Sequence, residues 1–377
     1  MAAGRRPDPV TEVKKPKKKV AINLALQGGG AHGAFTWGVL DRLLETGEFE
    51  VAAISGTSAG AINGAALKSG MARGMEEGDD AARQMARDEM TWLWEQIGAL
   101  PESAMSHWMA PFMPSAEMVS KMMEWSPAFL MQETAARIAS PYSLGPLYEN
   151  PLKRVVDKFD YTHVCHGSGP EFYVSATNVR TGKIRVFRGN EITPEVIQAS
   201  ACLPTVFRAV EAKDPVTLTN EFWWDGGYTG NPALFPLYAQ HLPDDIVLIN
   251  INPLEREALP QTPQDIANRV NEISFNASLM SELRSIAFVQ RLIDEGRMDR
   301  DVMKYVRVHM IADDDLMNDL SVATKSVPNP YVIAELKDAG RRAAAKFLAG
   351  DAKKVGRESS IDLSEMYGDG LGRAYSR

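Results

Sequence analysis

A serine in the sequence GTSAG could form the covalent intermediate of an acyl transfer reaction. Ser58 lies between Gly56 and Gly60, directly after the apolar run VAAIS and directly before a run of small residues that is typical of a helix. A G-x-S-x-G motif between a strand and a helix holds a serine at a tight turn, where bulky neighbours would collide. The positive end of the helix dipole then favours a developing negative charge. The pattern predicts that Ser58 is a nucleophile.

A nucleophilic serine needs a base. Asp225 ends the aromatic run FWWD, and Gly226 and Gly227 let the chain turn sharply and leave one side of the carboxylate open. A Ser-Asp-His triad would instead place a histidine late in the chain. His241 lies in a polar loop and His309 in an apparent strand, so neither has support as the base. The several strands that normally precede the serine of such a triad are also missing.

The sequence LALQGGGAHGAF contains glycines that fit two kinds of site. Gly28, Gly30 and Gly33 match the G-x-G-x-x-G pattern of dinucleotide-binding sites. Such a site also needs an acidic residue at the end of the second strand, whereas the acidic residues near that strand stand at its start. We therefore predict that Gly28, Gly29 and Gly30 offer backbone N–H groups to an oxyanion, with Gly33 as a structural glycine.

The glycine loop, the G-x-S-x-G serine and the D-G-G aspartate, in that order, are similar to those of the patatin-like phospholipases. The segment QASACLPTVF also resembles the family's sequence ahead of the aspartate strand, and the resemblance extends over about residues 22–240. The resemblance implies that Ser58 is the nucleophile, Asp225 its partner in a catalytic dyad and Gly28 to Gly30 the oxyanion hole. No metal or cofactor is required.

One position departs from the family pattern. The family usually carries Arg or Lys just before the last glycine of its loop, where this chain has His32. Two interpretations stay open. His32 is either a helix-start residue beside backbone amides that bind the oxyanion alone, or a titratable group that adds positive charge at acidic pH.

The resemblance implies a lipid acyl hydrolase that releases fatty acid from a lipid or other acyl ester. An acyltransferase or thioesterase would use the same dyad, and no residue separates these reactions from hydrolysis. A non-catalytic lipid-binding module is the alternative from a different class. The presence of both dyad residues and of the glycine loop disfavours that module.

Apolar runs of strand length alternate with helix-length segments along the chain. This alternation predicts an α/β fold, a three-layer sandwich with a mostly parallel central sheet. We expect one domain over residues 20–350, a disordered basic tail over 1–19 and a loose C-terminal tail over 351–377. The predicted strands are VAINLAL, VAAIS, EFYVSATNV, KIRVF, FWWDG, DIVLINI and KYVRVHMI, and the predicted helices cover about residues 33–45, 59–68, 151–159, 263–296 and 331–349.

Residues 98–144 interrupt the alternation with several prolines and with frequent Met and Trp. Prolines favour short elements over one long helix, and Met and Trp adapt to irregular apolar ligands and to membrane interfaces. We predict a helical insertion that forms an acyl-binding wall or a cover over the dyad. Ordinary core packing is the alternative.

Charge and cysteine content limit the partners and the location. The first 19 residues hold seven Lys or Arg, although the whole chain has a net charge of −8. The acidic body excludes nucleic acid, while the tail is either a solvated arm or a peripheral contact with anionic lipid. No run has the length of a signal peptide or a membrane span, so we expect a cytoplasmic protein. We expect Cys165 and Cys202 to be packing residues, with His163 and His166 in a surface loop.

Overall fold

Strands and helices alternate through the chain, and the strands join one sheet. In the computed structural model, residues 19–99, 115–127, 129, 131, 134, 140–257 and 259–366 are described. The strands among them are β1 (Val20–Leu26), β2 (Phe49–Gly56), β3 (Glu171–Asn178), β4 (Ile184–Arg188), β5 (Val210–Lys213), β6 (Asn220–Asp225), β7 (Asp245–Ile249) and β8 (Arg307–Ile311). The helices are α1 (Ala34–Thr46), α2 (Ala59–Gly74), α3 (Asp79–Ile97), α4 (Ala116–Glu124), α5 (Lys153–Val156), α6 (Tyr161–Val164), α7 (Pro194–Ser200), α8 (Pro263–Asp294), α9 (Asp314–Asp319), α10 (Val322–Ser326), α11 (Pro330–Ala349) and α12 (Leu363–Met366).

The sheet is mostly parallel. Its strand order in the described residues is β5-β6-β3-β2-β1-β7-β8, and β4 pairs with β3 beside this path. The five strands β1, β2, β3, β7 and β8 pair in parallel, whereas β4, β5 and β6 are antiparallel to their neighbours. Parallel strands need crossover connections, which the helices supply.

Helices cover both faces of the sheet. Successive side chains of a strand point to opposite faces, and β1 follows this rule: Leu24 and Leu26 join one apolar core, while Ala25 joins the other. The first core contains residues of α1, α2, α3 and α11. The second contains Leu279 and Leu283 of α8. Two cores on one sheet make a three-layer α/β sandwich, which confirms the predicted fold class.

Strand β3 brings the ends of β2 and β6 together. One edge of β3 pairs with β4 along Tyr173 to Thr177. The other edge pairs first with β2, as far as Val174 opposite Gly56, and then with β6, from Ala176 opposite Asp225. Because β2 is parallel to β3 and β6 is antiparallel, the last residues of the two strands meet.

All the predicted strands are present, and the structure adds one. Strand β5 has four residues, of which only Ala212 is buried, so its sequence has no strong strand pattern. Helix α8 and helix α11 lie within two residues of their predicted limits. The helix predicted over residues 151–159 is the single turn α5.

The prediction of a loose tail is wrong for residues 351–366. The backbone N–H of Ser360 donates to the carbonyl oxygen of Val308 in β8 at 3.1 Å. The N–H of Gly356 donates to Asp245 Oδ1 at 2.8 Å. This segment is therefore held against β7 and β8 by backbone hydrogen bonds.

Much of the Met/Trp-rich insertion, namely residues 100–114 and most of 128–139, lies outside the described residues. Its helix α4 packs against α10 and α11: Ser120 Oγ donates to Ser321 Oγ at 2.9 Å, and Ala116 N–H donates to Glu335 Oε2 at 2.7 Å. Before the insertion, Trp94 of α3 is buried in the core.

The basic tail lies outside the described residues except for Lys19, which pairs with Asp79. Within the described part of the chain, no helix combines the length and the apolar character that crossing a membrane requires.

Candidate active site

Ser58 lies at the turn between β2 and α2 in a conformation that few side chains adopt. Its φ is 55° and its ψ is −123°, a combination that costs about 1–3 kcal/mol and persists only where neighbours impose it. Gly60 approaches β1 so closely that a Cβ there would lie 2.0 Å from the carbonyl oxygen of Leu26. The Thr57 hydroxyl donates to the carbonyl oxygen of Gly230 at 2.7 Å. These contacts hold Ser58 at the N-terminus of α2.

Asp225 is a buried carboxylate beside Ser58. Its exposed fraction is 0%, and its Oδ1 accepts a hydrogen bond from the Gly227 N–H at 2.7 Å. Oδ2 has no partner at hydrogen-bond distance among the described residues. Burial raises the pKa of Asp225 to about 7, although the Gly227 N–H and the nearby Ser58 hydroxyl favour the ionised form. A carboxylate with this pKa is suited to general base catalysis near neutral pH.

The glycine loop between β1 and α1 lies against the serine. A Cβ on Gly28 would lie 2.6 Å from Ser58 Cβ. The Gly28 N–H donates to Asn231 Oδ1 at 2.7 Å and is therefore engaged. The N–H groups of Gly29 and Gly30 donate to no acceptor in the described part of the chain. Of the three glycines predicted to form the oxyanion hole, Gly29 and Gly30 thus have backbone N–H groups that remain available to a ligand.

Ala59 is a further donor that the sequence analysis did not name. It is the first residue of α2, and the first N–H groups of a helix have no acceptor within it. Its position directly after Ser58, the predicted nucleophile, is the signal that could have identified it.

Buried amide side chains hold the glycine loop in place. Gln27 Oε1 accepts hydrogen bonds from the N–H groups of Ile251 and Asn252 at 2.7 and 2.8 Å. Asn252 Nδ2 donates to the carbonyl oxygen of Gly28 at 2.7 Å. Asn231 Nδ2 reaches the same oxygen at 3.4 Å. Both polar groups of Gly28 are therefore fixed by residues far away in the sequence.

The other motif glycines also lie where a side chain would collide. A Cβ would stand 2.2–2.7 Å from an atom of another residue at four positions: Gly33, Gly56, Gly226 and Gly227.

His32 is buried, and its surroundings disfavour the protonated form. Its Nε2 donates to Thr324 Oγ1 at 2.8 Å, because the Thr324 hydroxyl itself donates to the carbonyl oxygen of Ser321. Burial, together with the charges of Lys325 and Arg256, holds the pKa of His32 well below its usual value. These surroundings disfavour the interpretation of His32 as a source of positive charge at acidic pH.

The two late histidines lie away from Ser58. His241 Nε2 contacts Glu171 Oε1 at 2.7 Å, and Glu171 begins β3, at the opposite end from the site. His309 Nε2 contacts Asp245 Oδ1 at 3.0 Å, and Asp245 begins β7. Neither histidine forms a triad with Ser58.

The cysteine and histidine cluster around Cys165 is also separate. It borders surface cavities of about 780 and 340 Å³, neither of which is lined by Ser58 or Asp225. His163 pairs with Asp160 at 2.7 Å. Among the residues that the structure describes, no group of His, Cys, Asp and Glu side chains could hold a metal ion.

The region that holds the serine, the aspartate and the glycine loop matches one known family. The profile of the patatin-like phospholipases matches residues 24–238, which is more than half of the chain. The chain belongs to the patatin-like phospholipase family. The matched region includes Ser58 and Asp225, whereas Asn252 and Lys325 lie beyond its end.

Solved structures align with this patatin-like chain at low similarity. VipD from Legionella pneumophila is 16% identical, with a TM-score of 0.36, over 91% of this chain and 72% of that chain. A chain of the ExoU-SpcU complex, from the type III secretion system of Pseudomonas aeruginosa, is 16% identical, with a TM-score of 0.30, over 95% of this chain and 59% of that chain. Scores this low carry no argument about function. No curated protein matches the chain.

Proposed function

We propose that this protein is a serine lipid acyl hydrolase in which Ser58 and Asp225 form a catalytic dyad. The observation that carries the proposal is the meeting of β2 and β6 along β3, which puts the strained serine turn beside a buried carboxylate. The family match supports a lipid ester as the substrate. The reaction needs no metal or cofactor, because the carboxylate and the backbone amides supply its acid-base and electrostatic groups.

In the acylation step, Asp225 accepts the Ser58 hydroxyl proton as Oγ attacks the ester carbonyl carbon. The N–H groups of Gly29, Gly30 and Ala59 stabilise the resulting oxyanion, and each such donor is typically worth about 10²- to 10³-fold in turnover. The bond between the carbonyl carbon and the alcohol oxygen then breaks. The proton passes from Asp225 to the leaving alcohol or lysolipid.

In the deacylation step, water gives a proton to Asp225 and attacks the acyl carbon. The fatty acid leaves, and the proton returns from Asp225 to Ser58 Oγ. One carboxylate thus takes up and releases a proton in each half of the reaction. A pKa of about 7 suits this use near neutral pH, because neither the protonated nor the ionised form is strongly favoured.

Labelling with a fluorophosphonate, combined with a panel of lipid substrates, tests the proposal. The probe should modify a single serine, Ser58, which mass spectrometry of the digested protein identifies. An acyl substrate should protect Ser58, and excess NAD should not. Fatty acid and lysolipid should accumulate from at least one lipid of the panel.

Three results would contradict the proposal. Folded protein that resists the probe and releases no fatty acid would exclude a serine hydrolase. Protection by NAD would favour a dinucleotide site at the glycine loop. Transfer of the acyl group to an added alcohol in preference to water would favour an acyltransferase.

We also propose that helix α4 contributes to acyl-chain binding. Its inner side packs against α10, and α10 lies against the glycine loop, where a Cβ on Gly30 would stand 2.3 Å from the Lys325 carbonyl oxygen. Its outer side exposes Met118 and Met122, and Trp125 follows with an exposed fraction of 74%. Met and Trp side chains adapt well to flexible apolar chains.

Replacing Met118, Met122 and Trp125 together with glutamine is expected to lower kcat/KM for a long-chain ester by about tenfold. Each CH₂ group that loses an apolar contact costs about 0.8 kcal/mol, and about 1.4 kcal/mol corresponds to a factor of ten. Hydrolysis of an acetyl ester should change by less than about twofold, since it has no chain to bind. Paired assays of the two esters measure the difference.

The matched control is the double change of Val302 and Met303 to glutamine, because these exposed apolar residues precede β8 at the opposite end of the sheet from the site. An equal loss on both esters in the α4 variant would refute the acyl-binding role.

A further inference from the structure

Lys325, in the last third of the chain, contacts the glycine loop in two ways. Its carbonyl oxygen lies close against Gly30. Its Nζ donates to Asn252 Oδ1 at 3.1 Å, and Asn252 Nδ2 donates to the carbonyl oxygen of Gly28 at 2.7 Å. The ammonium group is thus connected to the loop through a single amide side chain.

This connection bears on one of the proposed oxyanion donors. The carbonyl of Gly28 and the N–H of Gly29 belong to the same peptide unit, which is planar and trans, so they point in opposite directions. A hydrogen bond that fixes the Gly28 oxygen therefore also fixes the direction of the Gly29 N–H. Asn252 supplies this bond from the side opposite to the N–H.

Lys325 also determines which way the Asn252 amide faces. An amide side chain has one oxygen, which accepts, and one NH₂ group, which donates. An ammonium group only donates, so it must face the oxygen, and the NH₂ group is then left for Gly28. Without the ammonium group, the amide can turn and present its oxygen to the Gly28 oxygen, which would repel it.

The surroundings of Lys325 keep the ammonium group in place. Its side chain is 16% exposed, and its Nζ lies 3.7 Å from Glu272 Oε1. Glu272 also accepts hydrogen bonds from Arg256 at 2.7 and 2.8 Å. Burial opposes the ionisation of Glu272, but Arg256 and Lys325 hold the pKa of its carboxyl below the usual value. The anion that results offsets part of the effect of burial on Lys325, although burial still lowers the pKa of Lys325.

We propose that Lys325 is a positioning residue for the oxyanion hole, because it fixes the Gly28–Gly29 peptide through Asn252. This inference rests on the proposed function, since it concerns the donors of the same reaction. It extends the catalytic centre beyond residues 24–238, the region that matches the family.

The test begins with Lys325→Met, which keeps the length of the side chain and removes its charge. We expect kcat for a short ester to fall about 10- to 100-fold, somewhat less than for the loss of an oxyanion donor itself. KM should change by less than about threefold, because the lost interaction acts mainly in the transition state. The rate of fluorophosphonate labelling of Ser58 should fall in parallel.

A double-mutant cycle with Asn252→Ala separates positioning from general stability. If Lys325 acts through Asn252, then Lys325→Met should change kcat by less than about twofold in the Asn252→Ala background. Additive losses would overturn the inference. Asn252→Asp provides a second test that keeps the side-chain shape: a carboxylate cannot donate to Gly28, so kcat should again fall. Unchanged kcat in Asn252→Asp would overturn the inference as well.

Lys304→Met is the matched control for the loss of a buried lysine. Lys304 Nζ donates to the carbonyl oxygens of Leu237, Ala239 and Leu242, at the other end of the sheet. At a temperature where both variants are folded, Lys304→Met should keep the kcat of the wild-type protein. An equal loss of kcat in Lys304→Met and Lys325→Met would show that the effect of Lys325→Met comes from the loss of a buried lysine in general, and it would overturn the inference.

The wild-type protein separates the two proposals. If it neither reacts with the probe nor hydrolyses an ester, then the proposed function fails. If it does both and Lys325→Met keeps full kcat, then only the role of Lys325 fails.

Discussion

Ser58→Ala is expected to lower kcat for a short chromogenic ester by about 10⁴- to 10⁶-fold, to the level of residual binding effects. In the proposed mechanism the Ser58 Oγ forms the bond to the acyl group, and alanine offers no atom that replaces it. The fold should persist, because alanine keeps the Cβ in the same strained turn and the Ser58 hydroxyl caps no backbone N–H of α2. Initial rates with purified protein, together with thermal unfolding of both forms, measure the two effects.

Two histidine variants are the controls for this experiment. His241→Ala and His309→Ala should each retain most of the activity, since both histidines contact carboxylates at the opposite end of the sheet. If a folded histidine variant lost as much activity as Ser58→Ala, the result would favour a catalytic triad that includes that histidine over the proposed dyad.

Asp225→Asn is expected to lower kcat by about 10³- to 10⁴-fold, because an amide oxygen is too weak a base to take the serine proton. The same carboxylate should control the pH dependence of the wild-type protein. Its pKa of about 7 predicts that kcat/KM rises with pH and levels off above neutrality. The residual activity of Asp225→Asn should lack this rise. A wild-type profile that stays flat between acidic and neutral pH would contradict Asp225 as the base.

Asp225→Asn should also change stability in a pH-dependent way. Burial raises the pKa of Asp225 from 3.8 to about 7 in the folded protein, so the folded state holds the proton more tightly than the unfolded state. Protonated Asp225 therefore stabilises the folded protein. This contribution is fully present below the pKa of Asp225 in the unfolded state, and it is lost as the pH rises through its pKa in the folded state. Asparagine does not titrate, so the variant should gain stability relative to the wild type as pH rises, by up to about 4 kcal/mol. Urea unfolding of both proteins at acidic and at slightly alkaline pH measures the gain, and an equal difference at both would contradict the raised pKa.

The strands and the long helices could be predicted because their buried positions carry apolar side chains in a recognisable pattern. β1 and β7 are buried apolar runs, and α8 and α11 begin at proline after a capping residue. The segment that includes Ser360 could not be predicted in this way. Part of it is held by backbone hydrogen bonds, which every residue type except proline can form, and its buried apolar residues, Val355 and Leu363, are isolated in the sequence.

The residues of the candidate site also fall into those with a local sequence pattern and those without one. Ser58, Asp225 and the glycine loop were predicted because tight turns restrict the residue types within a few positions of each. Asn252 and Lys325 carry no such local pattern, since Asn and Lys are common on protein surfaces. Only the fold brings them to the loop. The engagement of the Gly28 N–H by Asn231 depends in the same way on two segments far apart in the sequence.

The pairing of β2 and β6 with the same edge of β3 lets that strand set the distance between the end of β2, which leads to Ser58, and Asp225. Gly56 is opposite Val174 and Asp225 is opposite Ala176, so their separation is measured along two residues of β3, at about 3.3 Å each. The loops that join these strands do not affect this separation. The chain between β2 and β3, which includes residues 98–144, can therefore change in length or sequence while the end of β2 and Asp225 keep their positions along β3. The spacing of the two proposed catalytic residues is therefore independent of the segment proposed to bind the acyl chain.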